Sequence, residues 1–288
     1  MTNDRLKALW FIHLRQKNLS ESTITNYRKH LKTFDRWIKD KSYLEMTQDH
    51  IQDFFSFQKS KAQSTRNVLT AVLMGYYGFL HERGHMIRDA RGWFPKFDNA
   101  RKILDNVPTV KQIRQLILSP DMNTSKGYME RTMIIIQYSG GLRASELLGL
   151  DIDDVDHIRQ TITITRKGGA TQELPVGELA FEYLTTYLDG IRSRLTPKGS
   201  HVWVNEWGKR LTYTNYQQMV KKYWRRLEEE GFSTHSLRHG CGTHMLNGGA
   251  SLHSISVFLG HRNINSTEIY TKVEPRQIRD VVDSLSFN

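Results

Sequence analysis

"SGGLRASELLGL", residues 139–150, sets the organisation of the second half of the chain. The nine residues before it, "ERTMIIIQY", centre on the apolar run "MIII" and read as a buried helix. Two glycines then stop the helix and turn the chain, and "RASELLGL" starts a short one. Further on, "QTITITRKGGATQELPV" (160–176) alternates and is rich in Thr and Ile, which predicts two strands joined by a turn at Gly168-Gly169. "ELAFEYLTTYLDGIRSRL" (178–195) reads as a helix, "HVWVN" (201–205) as a strand, and "TYTNYQQMVKKYWRRLEEEG" (212–231) as a long helix closed by Gly231. Short helices are expected over 236–285.

The first hundred residues are helical in pattern. Ile24, Tyr27, Leu31, Phe34 and Ile38 fall three or four apart, one face of an α-helix, with Ser20 or Ser22 as its N-cap. A preceding helix over 3–16 gathers Leu6, Leu9, Trp10 and Leu14. Thr47 caps a third helix with Ile51, Phe54 and Phe55 inward, and a fourth, beginning near "STRNVL", stops at Gly84. Four such helices make a small bundle. Residues 85–107 lose the periodicity and contain Gly92 and Pro95, so an interdomain linker is expected there. A new helix follows, capped by Thr109. The expected division is a helical domain over 1–84, a linker over 85–107 and a second domain over 108–288.

The 288 residues carry 41 Lys+Arg against 30 Asp+Glu, a net charge of +11. Residues 1–106 hold +8 of it and 107–288 only +3. A basic balance of this size points to a polyanionic partner such as a nucleic acid. Arg28, Lys29, Lys32, Arg36 and Lys39 lie on or beside the polar face of the second helix, and a phosphate-contacting face is expected there. Cys241 is the one cysteine, which excludes an intrachain disulfide and fits a reducing compartment. The longest run free of charged residues and histidine, 67–80, is too short for a membrane span of roughly 18 residues or more. A cytoplasmic protein with no membrane association is expected.

Three islands hold chemistry-bearing residues: the opening stretch with Arg143; "HSLRHGCGTHML" (235–246) with His235, Arg238, His239 and His244; and "LGHRNINSTEIYTK" (259–272) with His261 and Tyr270. Lys167 lies in the hairpin between the first two. Two arginines can neutralise a phosphodiester and the pentacoordinate transition state derived from it. A histidine moves protons near neutral pH. A lysine can protonate a leaving oxygen, and a tyrosine can attack phosphorus and hold the strand as a phosphotyrosine ester. That ester conserves the energy of the bond broken, and such a set needs neither metal nor cofactor. Each residue also has a plain structural role open to it: Arg143 pairing with Glu146, His235 near a helix start, Lys167 solvated in a turn, Tyr270 in a core. A zinc site on His235 and His239 is the rival for the second island, but no His-Glu-x-x-His signature and no cysteine pair accompany it.

Taken together, these islands resemble the boxes of the tyrosine recombinase (phage integrase) family, most closely its short Xer-like members. "GLRASELLGLDIDDVD" is similar to the first box, with Arg143 as its catalytic arginine. The His-x-x-Arg box matches His235 and Arg238, and the third matches His261 and the nucleophile Tyr270. The resemblance spans nearly the whole chain. It implies a mainly α fold: an N-terminal helical core-binding bundle and a helical catalytic domain with a small three-stranded antiparallel sheet. It further implies that Lys167 is the hairpin general acid, that His235 assists proton transfer at Tyr270, and that His261 hydrogen-bonds the phosphate. Where relatives often show Gly-Lys-Gly, this hairpin reads "TRKGGATQELP", so Lys167 has Arg166 beside it as an alternative. Gly240 and Gly242 fall inside a predicted helix, through close packing or at a cost in helix stability of about 0.5–1 kcal/mol each.

The implied activity is site-specific recombination of double-stranded DNA at a core site, through a 3′-phosphotyrosine intermediate and a Holliday junction, by a homo-tetramer or with a related recombinase. Chromosome or plasmid dimer resolution and mobile-element integration are the roles such enzymes serve. In "VEPRQIRDVVDSLSFN", Val273, Ile278, Val281, Val282 and Leu285 suit an exchange helix docked on a neighbour or on its own domain. The alternatives are a type IB topoisomerase-like enzyme that nicks and reseals one duplex, and a non-catalytic DNA-binding protein, which would lack a member of the catalytic set.

Overall fold

The computed structural model describes residues 1–97, 107–166 and 169–260. The chain divides into two compact units, Met1–Ile103 and Leu104–Asn288.

The first unit contains α1 (Asn3–Gln16), α2 (Glu21–Ile38), α3 (Gln48–Phe57) and α4 (Gln63–Glu82). The hydroxyls of Thr2, Ser20 and Thr47 cap the first three by accepting from the N–H groups of Arg5, Thr23 and His50. Ser20, not Ser22, is therefore the cap of α2. The apolar faces meet in an aromatic core of Trp10, Phe34, Tyr43, Phe54, Tyr76 and Tyr77. Phe34 meets Phe54 edge-on at 4.8 Å between centroids, and Trp10 meets Tyr76 at 5.1 Å. Such pairs contribute about 0.5–1.5 kcal/mol each beyond the area they bury. The described part of the segment expected to be linker, 85–97, packs into this unit: Met86, Ala90 and Phe94 are buried in the same core. Its chain is irregular apart from a single 3₁₀ turn at Arg91–Trp93, which is why no periodicity announces the burial.

The second unit is built on α6 (Ser125–Ser139), which follows α5 (Val110–Leu118) and whose residues from Thr132 to Ser139 are all buried. Against it pack α5, α8 (Glu178–Thr186) and α10 (Thr234–Asn247). Between them lie α7 (Ala144–Gly149) and the strands β1 (Val155–Asp156), β2 (Thr161–Thr165) and β3 (Thr171–Pro175). The three strands form one antiparallel sheet in the order β1-β2-β3, with Val155 opposite Ile162 and Thr163 opposite Glu173. The stretch 201–205, expected as a strand, makes only isolated bridges, Asp151 to His201 and Val204 to Arg210. Its Val202, Trp203 and Val204 are all buried, and the Trp203 indole donates to the Leu147 carbonyl at 2.9 Å. Helices α9 (Tyr213–Arg226) and α11 (Leu252–Leu259) complete the unit. The described residues are mainly helical with a three-stranded sheet, as the resemblance implied. No helix among them is long and apolar enough to cross a membrane.

Candidate functional site

The Gly140-Gly141 break is a helix terminus of defined geometry. Gly141 has φ +57°, its N–H donates to Tyr138, and the Leu142 N–H reaches back to Gln137, the double closure of a Schellman cap. A Cβ on Gly141 would lie 2.5 Å from the Leu259 side chain, so glycine is required twice over, by conformation and by the approach of α11. The turn delivers Arg143, in extended conformation, to the N-cap of α7. Three residues on, Glu146 reaches back and accepts from the Arg143 backbone N–H at 2.8 Å, the carboxylate half of a capping box.

Glu146 is buried, and three arginines converge on it. Arg143 Nη1 donates to Oε1 at 2.7 Å, Arg166 Nη1 to Oε2 at 2.8 Å, and Arg238 Nη1 lies 3.6 Å from Oε2. Burial alone would raise the Glu146 pKa. The charge of Arg166 and the hydrogen bonds from Arg143 and Arg166 overcome it, and the carboxyl sits below its usual range. These four side chains together carry +2, the electrostatics of an anion site.

Arg238 lies in α10, whose first turn is capped by the Ser233 hydroxyl rather than by His235. Its Nη1 donates to the Gly141 carbonyl at 2.8 Å and its Nη2 to the Leu259 carbonyl. Burial, with the charge of Arg143, pushes its guanidinium down to about 10, still protonated at neutral pH. One turn earlier, His235 is depressed by burial and then by His239, Arg238 and Arg143, so the imidazole is neutral at pH 7 and able to accept a proton. His239 meets His235 edge-on at 4.4 Å between ring centroids. His244 faces elsewhere, with Nδ1 2.7 Å from the buried Tyr138 hydroxyl. Gly242 is tightly packed, since a Cβ there would meet Leu259 at 3.1 Å, whereas Gly240 has only ordinary contacts.

Gln137, which the sequence did not single out, joins these pieces from within α6. Its amide donates to the carbonyls of Leu142 and Thr234 at 3.2 and 3.1 Å, and its oxygen accepts from the Tyr216 hydroxyl at 2.6 Å. The residues before Arg143 and His235 are thereby fixed to one buried amide whose groups are satisfied on both sides. The structure thus brings together Arg143, His235 and Arg238. Lys167, His261 and Tyr270, and the apolar tail positions from Val273 to Leu285, lie outside the described residues. In the first unit, Arg28, Lys29, Lys32, Arg36 and Lys39 are all exposed on one side of α2 and at its end, with the Arg28 guanidinium over the Phe11 ring at 4.9 Å.

Residues 106–277 match the model of the phage integrase family, and residues 8–84 match that of its N-terminal SAM-like domain. The chain belongs to the phage integrase family of tyrosine recombinases, enzymes that cleave and rejoin DNA. It is a site-specific recombinase similar to the Xer type: the tyrosine recombinase XerD of Staphylococcus aureus (strain Mu50 / ATCC 700699) is 30% identical over 281 residues, 94% of each chain. In fold it is similar to the XerH site-specific recombinase bound to palindromic difH substrate in a post-cleavage complex. The TM-score is 0.71 at 18% identity, covering 97% of this chain and 88% of that one. A lambda integrase tetramer bound to a Holliday junction matches at a TM-score of 0.69 and 16% identity, covering 93% of this chain and 81% of that one.

Proposed function

We propose that this recombinase cuts each DNA strand by attack of the Tyr270 hydroxyl on a scissile phosphate within a core site of double-stranded DNA. A bond forms between phosphorus and the tyrosyl oxygen, and the bond from phosphorus to the 5′ oxygen breaks. The product is a 3′-phosphotyrosine and a free 5′ hydroxyl. His235 takes the tyrosyl proton and Lys167 supplies the proton that the 5′ oxygen needs. Arg143 and Arg238 hold the nonbridging oxygens, and His261 donates to one of them. Rejoining reverses the step with the 5′ hydroxyl of a partner strand. One phosphodiester replaces another of similar energy, so no nucleotide cofactor is consumed, and the cationic side chains perform the charge stabilisation.

Two exchanges in succession pass through a Holliday junction, which calls for four protomers on two duplexes. The lambda integrase neighbour, solved as a tetramer on such a junction, is in keeping with this. The N-terminal unit is the core-binding domain, its α2 face set against phosphates, and residues 108–288 form the catalytic domain. The tail after Tyr270 acts as the exchange helix between protomers. Resolution of chromosome or plasmid dimers in the cytoplasm, or integration of a mobile element, is the role this activity suits.

The observation that carries the proposal is the convergence of Arg143 and Arg238 on buried Glu146, with neutral His235 one turn away on the helix that carries Arg238. The test is strand cleavage by Arg143→Ala and Arg238→Ala on nicked duplexes tiling the DNA around the encoding locus. Both variants are expected to bind DNA near wild-type affinity and to lose at least about 100-fold in single-turnover cleavage, the scale of one transition-state anion contact. Cleavage within about threefold of wild type in both would overturn the assignment.

A further inference from the structure

Arg166 directly follows β2 at the base of the hairpin, immediately before Lys167, where relatives often carry glycine. An arginine at a hairpin turn is ordinarily solvated. Here its side chain is buried, 8% exposed, and each of its three nitrogens donates to a different part of the unit. Nε donates to the Gln172 side chain across the hairpin at 2.9 Å, Nη1 to Glu146 at 2.8 Å, and Nη2 to the Phe258 carbonyl at 2.8 Å. Gln172 in turn donates to the Val257 carbonyl at 3.1 Å. The last turn of α11 is thus held at successive carbonyls: Val257 by Gln172, Phe258 by Arg166, and Leu259 by Arg238.

The backbone has been shaped around this side chain. Gly260 has φ +64°, and a Cβ there would lie 2.7 Å from Arg166 Nε and 3.1 Å from Cζ. A buried guanidinium costs several kcal/mol in desolvation unless its geometry is well matched, so a merely apolar filler would be the simpler way to close this space. What the arginine adds is orientation. It grips the same Glu146 oxygen that accepts from the Arg143 backbone and that faces Arg238. With that oxygen fixed, the carboxylate has one orientation to offer the Arg143 guanidinium.

We infer that Arg166 is a positioning residue for strand cleavage: it locks the Glu146 carboxylate and the end of α11 to the hairpin, and so sets Arg143 and Arg238 against the scissile phosphate. Its nitrogens are engaged by protein, so it holds the frame and is not the proton donor to the leaving oxygen. The inference rests on the proposed role of Arg143 and Arg238 as phosphate-holding residues.

The experiment compares full-length Arg166→Met, Arg166→Lys and Arg143→Ala on two nicked duplexes, one with the native scissile phosphodiester and one with an uncharged methylphosphonate at that position. Replacing a charged nonbridging oxygen by methyl relaxes the need for correctly aimed arginines, whereas a general loss of structure would slow both substrates alike. Arg166→Met is expected to bind DNA as wild type does and to cleave the diester on the order of 100-fold more slowly, the scale of a misplacement of about 1 Å in the reacting geometry. On the methylphosphonate its defect is expected to shrink at least about tenfold, as that of Arg143→Ala does. Arg166→Lys keeps the charge, but one ammonium cannot span three acceptors, so the same pattern is expected; it carries the comparison if the methionine variant does not fold. Equal defects on both substrates, or wild-type cleavage of the diester by both variants, would overturn the inference. If Arg143→Ala itself shows no relief, the phosphate-holding role of Arg143 fails instead.

Discussion

Replacing Glu146 by Gln keeps the shape of the side chain and removes its charge. In the native unit this carboxylate accepts from Arg143 twice, at 2.7 and 2.8 Å, and from Arg166 at 2.8 Å, with Arg238 at 3.6 Å. A glutamine leaves one acceptor oxygen and turns an N–H₂ toward guanidinium donors. Removing one partner of a buried ion pair costs about 3–5 kcal/mol, because the charges left behind are neither solvated nor matched. Against a typical total of about 5–15 kcal/mol this is a large share. At about 2–4 °C per kcal/mol for a unit of this size, Tm is expected to fall by about 6–20 °C at neutral pH, followed by circular dichroism or calorimetry.

The pH dependence has a definite sign. The folded-state pKa of Glu146 is below its unfolded value, so its stabilisation is fully present above the usual carboxylate range and is lost as pH falls through the depressed value. The gap in Tm between wild type and Glu146→Gln is therefore full above the ordinary carboxylate range, narrows as pH falls through it, and closes once pH is below the depressed value. Millimolar inorganic phosphate is expected to raise Tm more for the variant than for wild type, since an added anion takes the place of the missing one. A Tm within about 2 °C of wild type at pH 7, with no phosphate effect, would refute the view that one carboxylate holds the arginine cluster together.

Gly141→Ala places a side chain at φ +57° and 2.5 Å from Leu259, which adds about 1–2 kcal/mol of backbone strain to about 1–3 kcal/mol of overpacking; thermal unfolding reads the loss, and cleavage falls with it because the Gly141 carbonyl holds Arg238. Because burial and then His239, Arg238 and Arg143 depress His235, the acid limb of kcat/KM for cleavage lies below the ordinary imidazole range, falling only once the ring is protonated, and His235→Gln abolishes that limb. Alanine at Lys32 or Arg36, both exposed on α2, leaves the fold unchanged and lowers the slope of log affinity against log salt by about 1 for each phosphate no longer neutralised, measured by fluorescence anisotropy.

Much of the helical architecture was legible because a helix writes its buried face at fixed spacing. Ile24, Leu31, Phe34 and Ile38 are all buried as that spacing required. The hairpin was legible from its Thr and Ile alternation. β1 was not, since two residues, Val155–Asp156, are too few to display a period. The stretch 201–205 imitated a strand because Val202, Trp203 and Val204 are all buried, yet only single bridges form there. Met86 and Phe94 looked like linker because irregular chain can be buried without a pattern. In the site, Arg143, His235 and Arg238 stood out through their boxes, and the pairing of Arg143 with Glu146 was visible at three residues' distance. The bonds from Arg166 to Glu146 and to Phe258 span 20 and 92 residues, and those from Gln137 to Thr234 span 97; nothing local in the sequence reports them.

The most direct test of the account is to isolate the covalent complex formed on a nicked core-site duplex in EDTA, digest it, and identify by mass spectrometry the peptide that carries the nucleotide. The account predicts a 3′-phosphate linked to the Tyr270 hydroxyl, formed without added metal and absent in Tyr270→Phe. A DNA adduct on any other residue, or its persistence in Tyr270→Phe, would contradict it.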